Sequence, residues 1–283
     1  MPAAFGSPCI TVSEFPGKSA ASRLRPDLGR AGVFAVMTPA ENPTAEPELS
    51  VLMGPDVNLL TTRMHVLDAD MDVRLIGYAR GMDRWMQPFA GAALDGALFA
   101  CTGSSYLTPR HDAPGRVIAQ AGGNLPLVAA ATAVHDALQA LNARRLVIVS
   151  PYPNTLTLAA TAWWRGMGYQ IQAVLDVPPT AQGHPIYARD ARAILATLRR
   201  ARTETGDVVV ALGTGAPSLP ALALASLETE RPMLSSNLCT AWAASRLLTP
   251  PQAEPPHAWL APDAPWRARL ASRFPRLMSR LDD

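Results

Sequence analysis

A thiol and several hydroxyls follow one short apolar run in the middle of the chain. The run Gly96-Ala-Leu-Phe-Ala100 predicts a buried strand of a parallel sheet, and Cys101-Thr-Gly-Ser-Ser105 follows it directly. Open α/β sheets bind ligands just beyond the carboxyl ends of their strands. Cys101 is therefore a candidate nucleophile or proton carrier, and Thr102, Gly103 and Ser104 are candidate ligands of a small anion. The alternative for Cys101 alone is a buried small hydrophobic residue.

Small polar residues also follow four other predicted strands, at Thr38-Pro39, Ser150-Pro-Tyr152, Gly213-Thr-Gly215 and Ser235-Ser-Asn237. If these strand ends converge, the pocket holds one thiol, many hydroxyls, one amide and few charges. Backbone N–H groups at loop and helix starts can bind a carboxylate there without Lys or Arg. The alternative for each loop taken alone is a turn or a helix cap.

Other kinds of chemistry have less support in the sequence. Gly213-Thr-Gly215 lacks the third glycine of a dinucleotide-binding motif, and neither a P-loop nor a G-x-S-x-G elbow is present. The three Cys and five His lack metal-ligand spacing, so we predict neither a metal nor a cofactor. A pair of Cys101 with His111 is a further alternative, although His111 lies in a Pro/Gly loop.

The composition is that of an ordinary globular protein, with 283 residues of which 48% are hydrophobic and 17% charged. A net charge of +2 gives no reason to expect a nucleic-acid or membrane partner. No apolar run approaches the roughly 18 residues of a membrane span, and the first residues do not resemble a secretory signal. We therefore expect a cytoplasmic protein with reduced thiols.

The elements that must position these residues alternate between strands and helices. Apolar runs predict strands at 33–37, 57–63, 97–100, 146–150, 169–175, 207–212 and 231–236. Helical periodicity predicts helices at 82–94, 132–141, 156–167, 187–203, 220–227, 237–248 and 259–281, and Pro88 is expected to kink or shorten the first. A polar loop is expected at 40–48. This alternation predicts an α/β fold with parallel sheets and helices on both faces.

Four motifs in order resemble the aspartate/glutamate racemase superfamily, in the branch of maleate cis-trans isomerases and arylmalonate decarboxylases. The loop from Pro39 to Glu48 is similar to P-S-S-N-T-T-x-E-P-E, and Cys101-Thr-Gly-Ser104 is similar to C-T-S/G. The run from Ala131 to Tyr152 is similar to S-T-A-V…A-L…R-R-V…P-Y, and the fourth motif extends from Arg231 to Trp242. The resemblance covers residues 32–248.

The resemblance implies two similar Rossmann-like domains related by a pseudo-twofold, with the active site in the interdomain cleft. We place a mobile extension at 1–30, the first domain at 31–141 plus 236–283, and the second at 142–235. By resemblance, Cys101 is the catalytic cysteine, and Asn42, Thr102 and Tyr152 bind a carboxylate. The implied ligand is a small mono- or dicarboxylate, no cofactor is needed, and the chain forms a homo-oligomer.

The chain departs from the family at one important position. The family's second cysteine falls at Gly213, followed by Thr214, so these two positions contribute only backbone and a hydroxyl to substrate binding. Cys239 is either a packing residue or close enough to reach the cleft. The match to a further substrate-binding position fails near Gly183-His184.

A single thiol limits the reaction. Racemisation needs an acid and a base on opposite faces of one carbon, which here would require Thr214, Tyr152 or water as the second group. A Cys101 thiolate can still add to an activated C=C bond, allow rotation and leave. We therefore predict an isomerase of a small unsaturated dicarboxylate such as maleate. The alternatives are an arylmalonate-type decarboxylase, an amino-acid racemase, a non-catalytic carboxylate-binding protein, or a partner-binding role of the terminal extensions.

Overall fold

The first half of the chain is built on a sheet whose first strand is buried on both faces. The computed structural model describes residues 27–108, 117–120 and 123–282. Strand β1 (Gly32–Pro39) is buried along its whole length and pairs in parallel with β2 (Val57–Met64) and β3 (Gly96–Phe99). A strand covered on both faces needs a continuous apolar sequence, which explains why β1 and β3 were predictable.

Two further strands complete this sheet in the order β2-β1-β3-β5-β4. Strand β5 (Gly123–Ala129) pairs in parallel with β3, and β4 (Val117–Gln120) pairs with β5 in the antiparallel direction. The sequence analysis missed both strands. His111, the alternative partner of Cys101, lies outside the described residues.

Five helices cover the first sheet: α1 (Ala45–Met53), α2 (Met71–Arg80), α3 (Met82–Met86), α4 (Thr102–Leu107) and α5 (Ala130–Ala140). The predicted polar loop at 40–48 is wrong in its second part, because α1 begins at Ala45. The predicted helix at 82–94 ends as α3 at Met86, followed by a single 3-10 turn that contains Pro88. Proline has no N–H to donate to the preceding turn, which shortens the helix as expected.

The second half repeats this plan around β6 (Arg145–Ser150), β7 (Gln170–Asp176), β8 (Val208–Ala211) and β9 (Met233–Ser235). Its sheet is parallel throughout and has the order β7-β6-β8-β9. Without the antiparallel β4, both sheets therefore have their successive strands in the spatial order 2-1-3-4. This repeat confirms the predicted α/β class with two similar parallel-sheet halves.

The helices of the second half are α6 (Asn154–Gly166), α7 (Ala191–Ala201), α8 (Ser218–Ala225) and α9 (Ser236–Ser245). The prediction that a helix begins at residue 187 is wrong. The Asp190 carboxylate accepts a hydrogen bond from the Ala193 N–H at 2.8 Å, which caps α7 and fixes its start at Ala191. Residues 177–190 instead form an irregular segment between β7 and α7, which we call the covering segment.

The single helix predicted at 259–281 is also wrong, because the C-terminal region forms α10 (Pro256–Leu260), α11 (Pro265–Arg273) and α12 (Pro275–Asp282). Each begins at a proline, which fits the first turn of a helix but not its interior. Arg269 donates to the carbonyl oxygens of Val51 and Leu52 in α1, and Arg267 donates to that of Ala223 in α8. This region therefore contacts both halves, and the predicted domain boundaries stay a prediction.

Within the described residues, none of the helices is long and apolar enough to cross a membrane. The predicted mobile extension at 1–30 lies, apart from residues 27–30, outside the described part of the chain.

Candidate functional site

Cys101 lies at the turn between β3 and α4, on the carboxyl edge of the first sheet. The Ala100 N–H donates to the Met37 carbonyl at 2.8 Å, so strand pairing continues up to the residue before the cysteine. Cys101 itself has extended backbone angles and precedes the first turn of α4. Its side chain is a free thiol with only 4% of its surface exposed. The apolar strand therefore places the thiol at the carboxyl edge of the sheet, as predicted.

The surroundings of the thiol hold it protonated in the resting protein. Burial raises the pKa of Cys101 above its usual range, and this effect is larger than the opposing hydrogen bonds from Ser104 and Gly103. The Ser104 hydroxyl donates to Sγ at 3.1 Å. The same donors would stabilise a thiolate once the proton had left, because they point at the sulfur.

Gly103 is predicted to bind the ligand, and the structure shows how its lack of a side chain is used. A Cβ at this position would lie 3.2 Å from the Leu75 side chain in α2 and 3.4 Å from Leu156 in α6. The first turn of α4 can therefore pack closely between helices from both halves, which keeps its backbone next to the sulfur.

Thr102 and Tyr152 are brought together from the two halves. Their hydroxyl oxygens are 2.6 Å apart, and both side chains are buried. Tyr152 follows β6, so this hydrogen bond joins the carboxyl edges of the two sheets. Burial raises the pKa of Tyr152 well above its usual range, which keeps the phenol as a hydrogen-bond donor at neutral pH.

Thr214 forms a second link between the halves. Its hydroxyl donates to the Ala100 carbonyl at 2.8 Å, directly before Cys101, and accepts a hydrogen bond from the Asn42 amide at 3.2 Å. The Asn42 oxygen accepts from the backbone N–H groups of Thr44 and Ala45, which caps α1. Asn42 thus lies at the predicted place in the cleft but also positions α1, and its contact with a substrate carboxylate stays a prediction.

Gly213, where the resemblance places the second cysteine, has no room for a side chain. Its φ is +90°, and a Cβ would lie 2.9 Å from the Pro151 side chain and 3.5 Å from the Tyr152 hydroxyl. The Pro151 ring therefore occupies the space that a side chain at 213 would enter, and Tyr152 lies in contact beside it. Cys239 is fully buried in α9, and burial, with a smaller contribution from Asp136 in α5, raises the pKa of its thiol above the usual range, which favours its role as a packing residue.

The polar residues at the end of β9, Ser235 to Asn237, do not belong to the residues around the Cys101 thiol. The Ser235 hydroxyl accepts from the Leu238 N–H at 3.3 Å and caps α9, so the alternative interpretation as a helix cap is correct there. The Asn237 amide donates to the Thr214 carbonyl at 3.0 Å and to the Glu48 carboxylate at 2.7 Å. Asn237 therefore stabilises the loop that contains Thr214 through the hydrogen bond to the Thr214 carbonyl.

Glu48 is a buried acid between the halves. It lies on α1, and its carboxylate accepts hydrogen bonds from the Leu219 N–H at 2.8 Å and from Asn237. Desolvation outweighs these hydrogen bonds and raises its pKa to about 7. Glu48 therefore changes its charge in the neutral pH range while it contacts the start of α8 in the other half.

Four tyrosines lie within electrostatic range of the Cys101 thiol: Tyr78, Tyr106, Tyr152 and Tyr187. Burial raises the pKa of each above its usual range, so all four are neutral phenols at physiological pH. The sequence analysis singled out only Tyr152. The other three come from α2, α4 and the covering segment, and no local sequence signal marked them as neighbours of the cysteine.

The covering segment closes the cleft above Gly215. A Cβ on Gly215 would lie 2.2 Å from the Tyr187 ring, so this tyrosine packs directly on the glycine backbone. The His184 ring stacks on Tyr187 with centroids 4.0 Å apart, and His184 Nε2 lies 3.3 Å from the Glu41 carboxylate. The sequence comparison with the family failed at Gly183-His184, and the structure places His184 beside the cleft.

A small pocket of about 20 Å³ remains beneath this segment, enough for a single water molecule. Its lining comprises Pro39, Glu41, Met71, Arg74, Leu75, Tyr78, His184, Ile186 and Tyr187. This space is smaller than a carboxylic acid, so we expect the covering segment to move when an acid binds.

Substitution of Gly215 by alanine is expected to displace the Tyr187 ring and to expose the thiol. If the substitution makes the closed arrangement of the covering segment less stable by about 1.4 kcal/mol, Cys101 should react with iodoacetamide about tenfold faster. The rate is measured by mass spectrometry of the Cys101 peptide. Gly91→Ala is the matched control, because nothing lies within 4 Å of a Cβ at Gly91. Equal alkylation rates in the two variants would contradict the proposal that the packing of Tyr187 on Gly215 protects the thiol.

The comparisons with known proteins agree with the resemblance found in the sequence. The chain is 26% identical to a maleate isomerase from Nocardia farcinica over 234 residues, covering 78% of this chain and 92% of that protein. No protein-family model matches the chain.

Solved structures show the same fold. The Nocardia farcinica maleate cis-trans isomerase bound to TRIS is 22% identical, with a TM-score of 0.65 over 76% of this chain and 92% of that one. A cysteine variant of the same enzyme with a covalently bound succinylcysteine intermediate has a TM-score of 0.61 at 21% identity, with the same coverage. An arylmalonate decarboxylase has a TM-score of 0.54 at 16% identity, again covering 76% and 92%. The predicted resemblance to maleate isomerases and arylmalonate decarboxylases therefore agrees with a homologous maleate isomerase and with solved structures of the same fold.

Proposed function

We propose that this protein is a cis-trans isomerase of a small unsaturated dicarboxylate such as maleate, with Cys101 as the nucleophile. The observation that carries the proposal is a buried free thiol at a strand end, contacted by Ser104 and enclosed by loops from both halves. The similarity to a maleate isomerase supports the substrate class. The succinylcysteine in a structural neighbour supports addition of a cysteine to the double bond.

The reaction depends on the donors around the thiol. The Cys101 thiol transfers its proton to a carboxylate oxygen of the bound substrate, and the thiolate forms a C–S bond to one olefinic carbon while the π electron pair moves to the other carbon and onto its carboxylate. Rotation about the resulting single bond brings the carboxylates trans. The electron pair then restores the double bond, the C–S bond breaks, and the departing thiolate takes its proton back from the substrate carboxyl group. This sequence needs no second thiol, so glycine at 213 does not prevent it.

The residues around Cys101 have separate roles in this proposal. The Ser104 hydroxyl and the backbone N–H groups of Gly103 and Ser104 stabilise the departing thiolate. Thr102 and Tyr152 offer neutral hydroxyl donors to the carboxylate that takes up negative charge. Asn42, Gly213 and Thr214 form the opposite wall, which carries the hydrogen bond from Thr214 to Ala100.

One observation favours a second candidate, the decarboxylation of an arylmalonate-type acid. The raised pKa of Cys101 keeps the thiol protonated, which suits a group that donates a proton to an enediolate after loss of CO₂. The fold is shared with an arylmalonate decarboxylase. This reaction uses the same thiol but as an acid instead of a nucleophile.

Proton NMR of the purified protein in deuterated water separates these reactions. With maleate, we expect the olefinic signal of maleate to be replaced by that of fumarate. Phenylmalonate is expected to stay unchanged, and aspartate and glutamate are expected to keep their α-protons. Conversion of phenylmalonate to a deuterated phenylacetate with no change in maleate would favour the decarboxylase. A protein that alters none of the four acids contradicts both enzymatic functions.

A further inference from the structure

A permanently charged side chain lines the small pocket beneath the covering segment. Arg74 lies on α2, one helical turn before Tyr78, so both face the same side of the helix. Its Nη1 donates to the Asp68 carbonyl at 3.0 Å, which fixes one edge of the guanidinium. Among the described residues that line the pocket, Arg74 is the only Lys or Arg.

The pocket adjoins the surroundings of the thiol. Tyr78 and Tyr187 line the pocket, and both lie within electrostatic range of Arg74 and of Cys101. A ligand that reaches from the sulfur past these two phenols would therefore place its far end near the guanidinium.

The other ionisable groups of the pocket do not neutralise Arg74. The Glu41 side chain is 67% exposed, so water screens its charge, and its nearest partner is His184. His184 Nδ1 accepts a hydrogen bond from the Ile186 N–H at 3.2 Å, which leaves the ring proton on Nε2, facing Glu41. Burial lowers the pKa of His184, so the imidazole is neutral at physiological pH. The half-buried guanidinium thus has the strongest positive field in the pocket.

We infer that Arg74 binds the substrate carboxylate farther from Cys101 and makes the site selective for dianionic dicarboxylates over monocarboxylates. The inference rests on the proposed function and adds a specificity-determining residue to it. A guanidinium offers two parallel N–H donors to a carboxylate, in contrast to the neutral hydroxyls near the thiol. The pocket has room for only one water molecule, so the carboxylate would enter as the covering segment moves.

The test compares two unreactive ligands of nearly the same shape, succinate and its half-amide succinamate, which has one carboxylate. Isothermal titration calorimetry is performed on the full chain and on the variants Arg74→Gln, Arg74→Lys and Arg80→Gln. Arg80 is exposed on the same helix and does not line the pocket, so it is the matched control.

We expect the wild type and Arg80→Gln to bind succinate at least about tenfold more tightly than succinamate. Arg74→Gln is expected to lose this preference while its affinity for succinamate stays within about twofold. Arg74→Lys keeps the charge but not the paired donors, so it should retain part of the preference, which a purely structural role of Arg74 would not produce.

Three results would overturn the inference: no preference in the wild type, a full preference in Arg74→Gln, or binding of neither ligand. A preference that depends on Arg74 in a protein that does not isomerise maleate would support the carboxylate site and overturn the proposed function alone. The two failures are therefore distinguishable.

Discussion

Replacement of Cys101 by alanine is expected to lower the turnover of maleate at least about a thousandfold, since no other group in the described cleft has a comparable nucleophilicity. The neighbouring hydroxyls of Thr102, Tyr152 and Thr214 belong to neutral groups that are hydrogen-bonded to each other or to backbone. Binding of succinate should be retained, because the alanine removes only the sulfur. Turnover is measured by NMR and binding by calorimetry.

Cys239→Ala is the matched control for this variant. Cys239 is also a buried free thiol, but it lies in α9. Both substitutions remove one sulfur from the interior and have similar costs in packing, so only the loss of the Cys101 thiol should affect turnover. A Cys101→Ala protein that keeps more than a tenth of the wild-type rate would show that water or another side chain performs the reaction, which would refute the nucleophilic role of Cys101.

Substitution of Glu48 by glutamine is expected to remove a pH dependence of stability between about pH 4.5 and 7. The pKa of Glu48 is raised from 4.5 to about 7 in the folded protein. Between these values the folded state holds a proton that the unfolded state has released, so the free energy of unfolding falls as pH rises through this range. The difference between the two pKa values corresponds to a loss of about 3 kcal/mol, complete above pH 7.

The measurement is urea unfolding of the wild type and the Glu48→Gln variant at pH 5 and pH 8. Relative to wild type, the unfolding free energy of the variant should increase by about 2.5 kcal/mol from pH 5 to pH 8. Glutamine cannot accept both the Leu219 and the Asn237 hydrogen bonds, so a constant loss at both pH values is also expected. Glu204→Gln, at an exposed position, is the control. Parallel pH dependences of wild type and Glu48→Gln would contradict the raised pKa.

The hydrogen bonds of Thr214 and Glu48 also connect the two halves next to the proposed site. Thr214 holds the loop after β8 against the residue before Cys101, and Asn237 joins the carbonyl of Thr214 to Glu48. Two hydrogen bonds, from Asn237 to Glu48 and from Asn237 to Thr214, therefore connect Glu48 to the cleft. A substitution at Glu48 is expected to change the position of Thr214, although Glu48 does not contact the thiol. Comparison of maleate turnover in Glu48→Gln and wild type at pH 8 would show how much of this support the reaction needs.

Local sequence determined the strands and the residues directly after them. The apolar runs in β1, β3, β6 and β8 are buried on both faces, so their composition alone revealed them, and the residue after each run lies at the carboxyl edge of a sheet. The positions of Cys101, Thr102 and Tyr152 in the cleft are a consequence of this rule. Helix α1 was missed because its first turn, Ala45-Glu-Pro-Glu48, is polar and contains a proline, and its buried Glu48 has partners more than 160 residues away.

The side-chain contacts inside the cleft could be found only from the three-dimensional arrangement of the chain. Tyr187 was predicted in a helix, but its ring packs on Gly215, which lies 28 positions along the chain in another loop. In the sequence, Gly213 indicated the loss of a functional group, whereas the structure shows that Pro151 occupies the space next to it. Such contacts depend on the shapes of side chains that meet across the two halves, and no periodicity in the chain records them. The apolar strand patterns therefore predict which residues lie at the sheet edges. Packing between the two halves then selects which of these residues lie next to the Cys101 thiol.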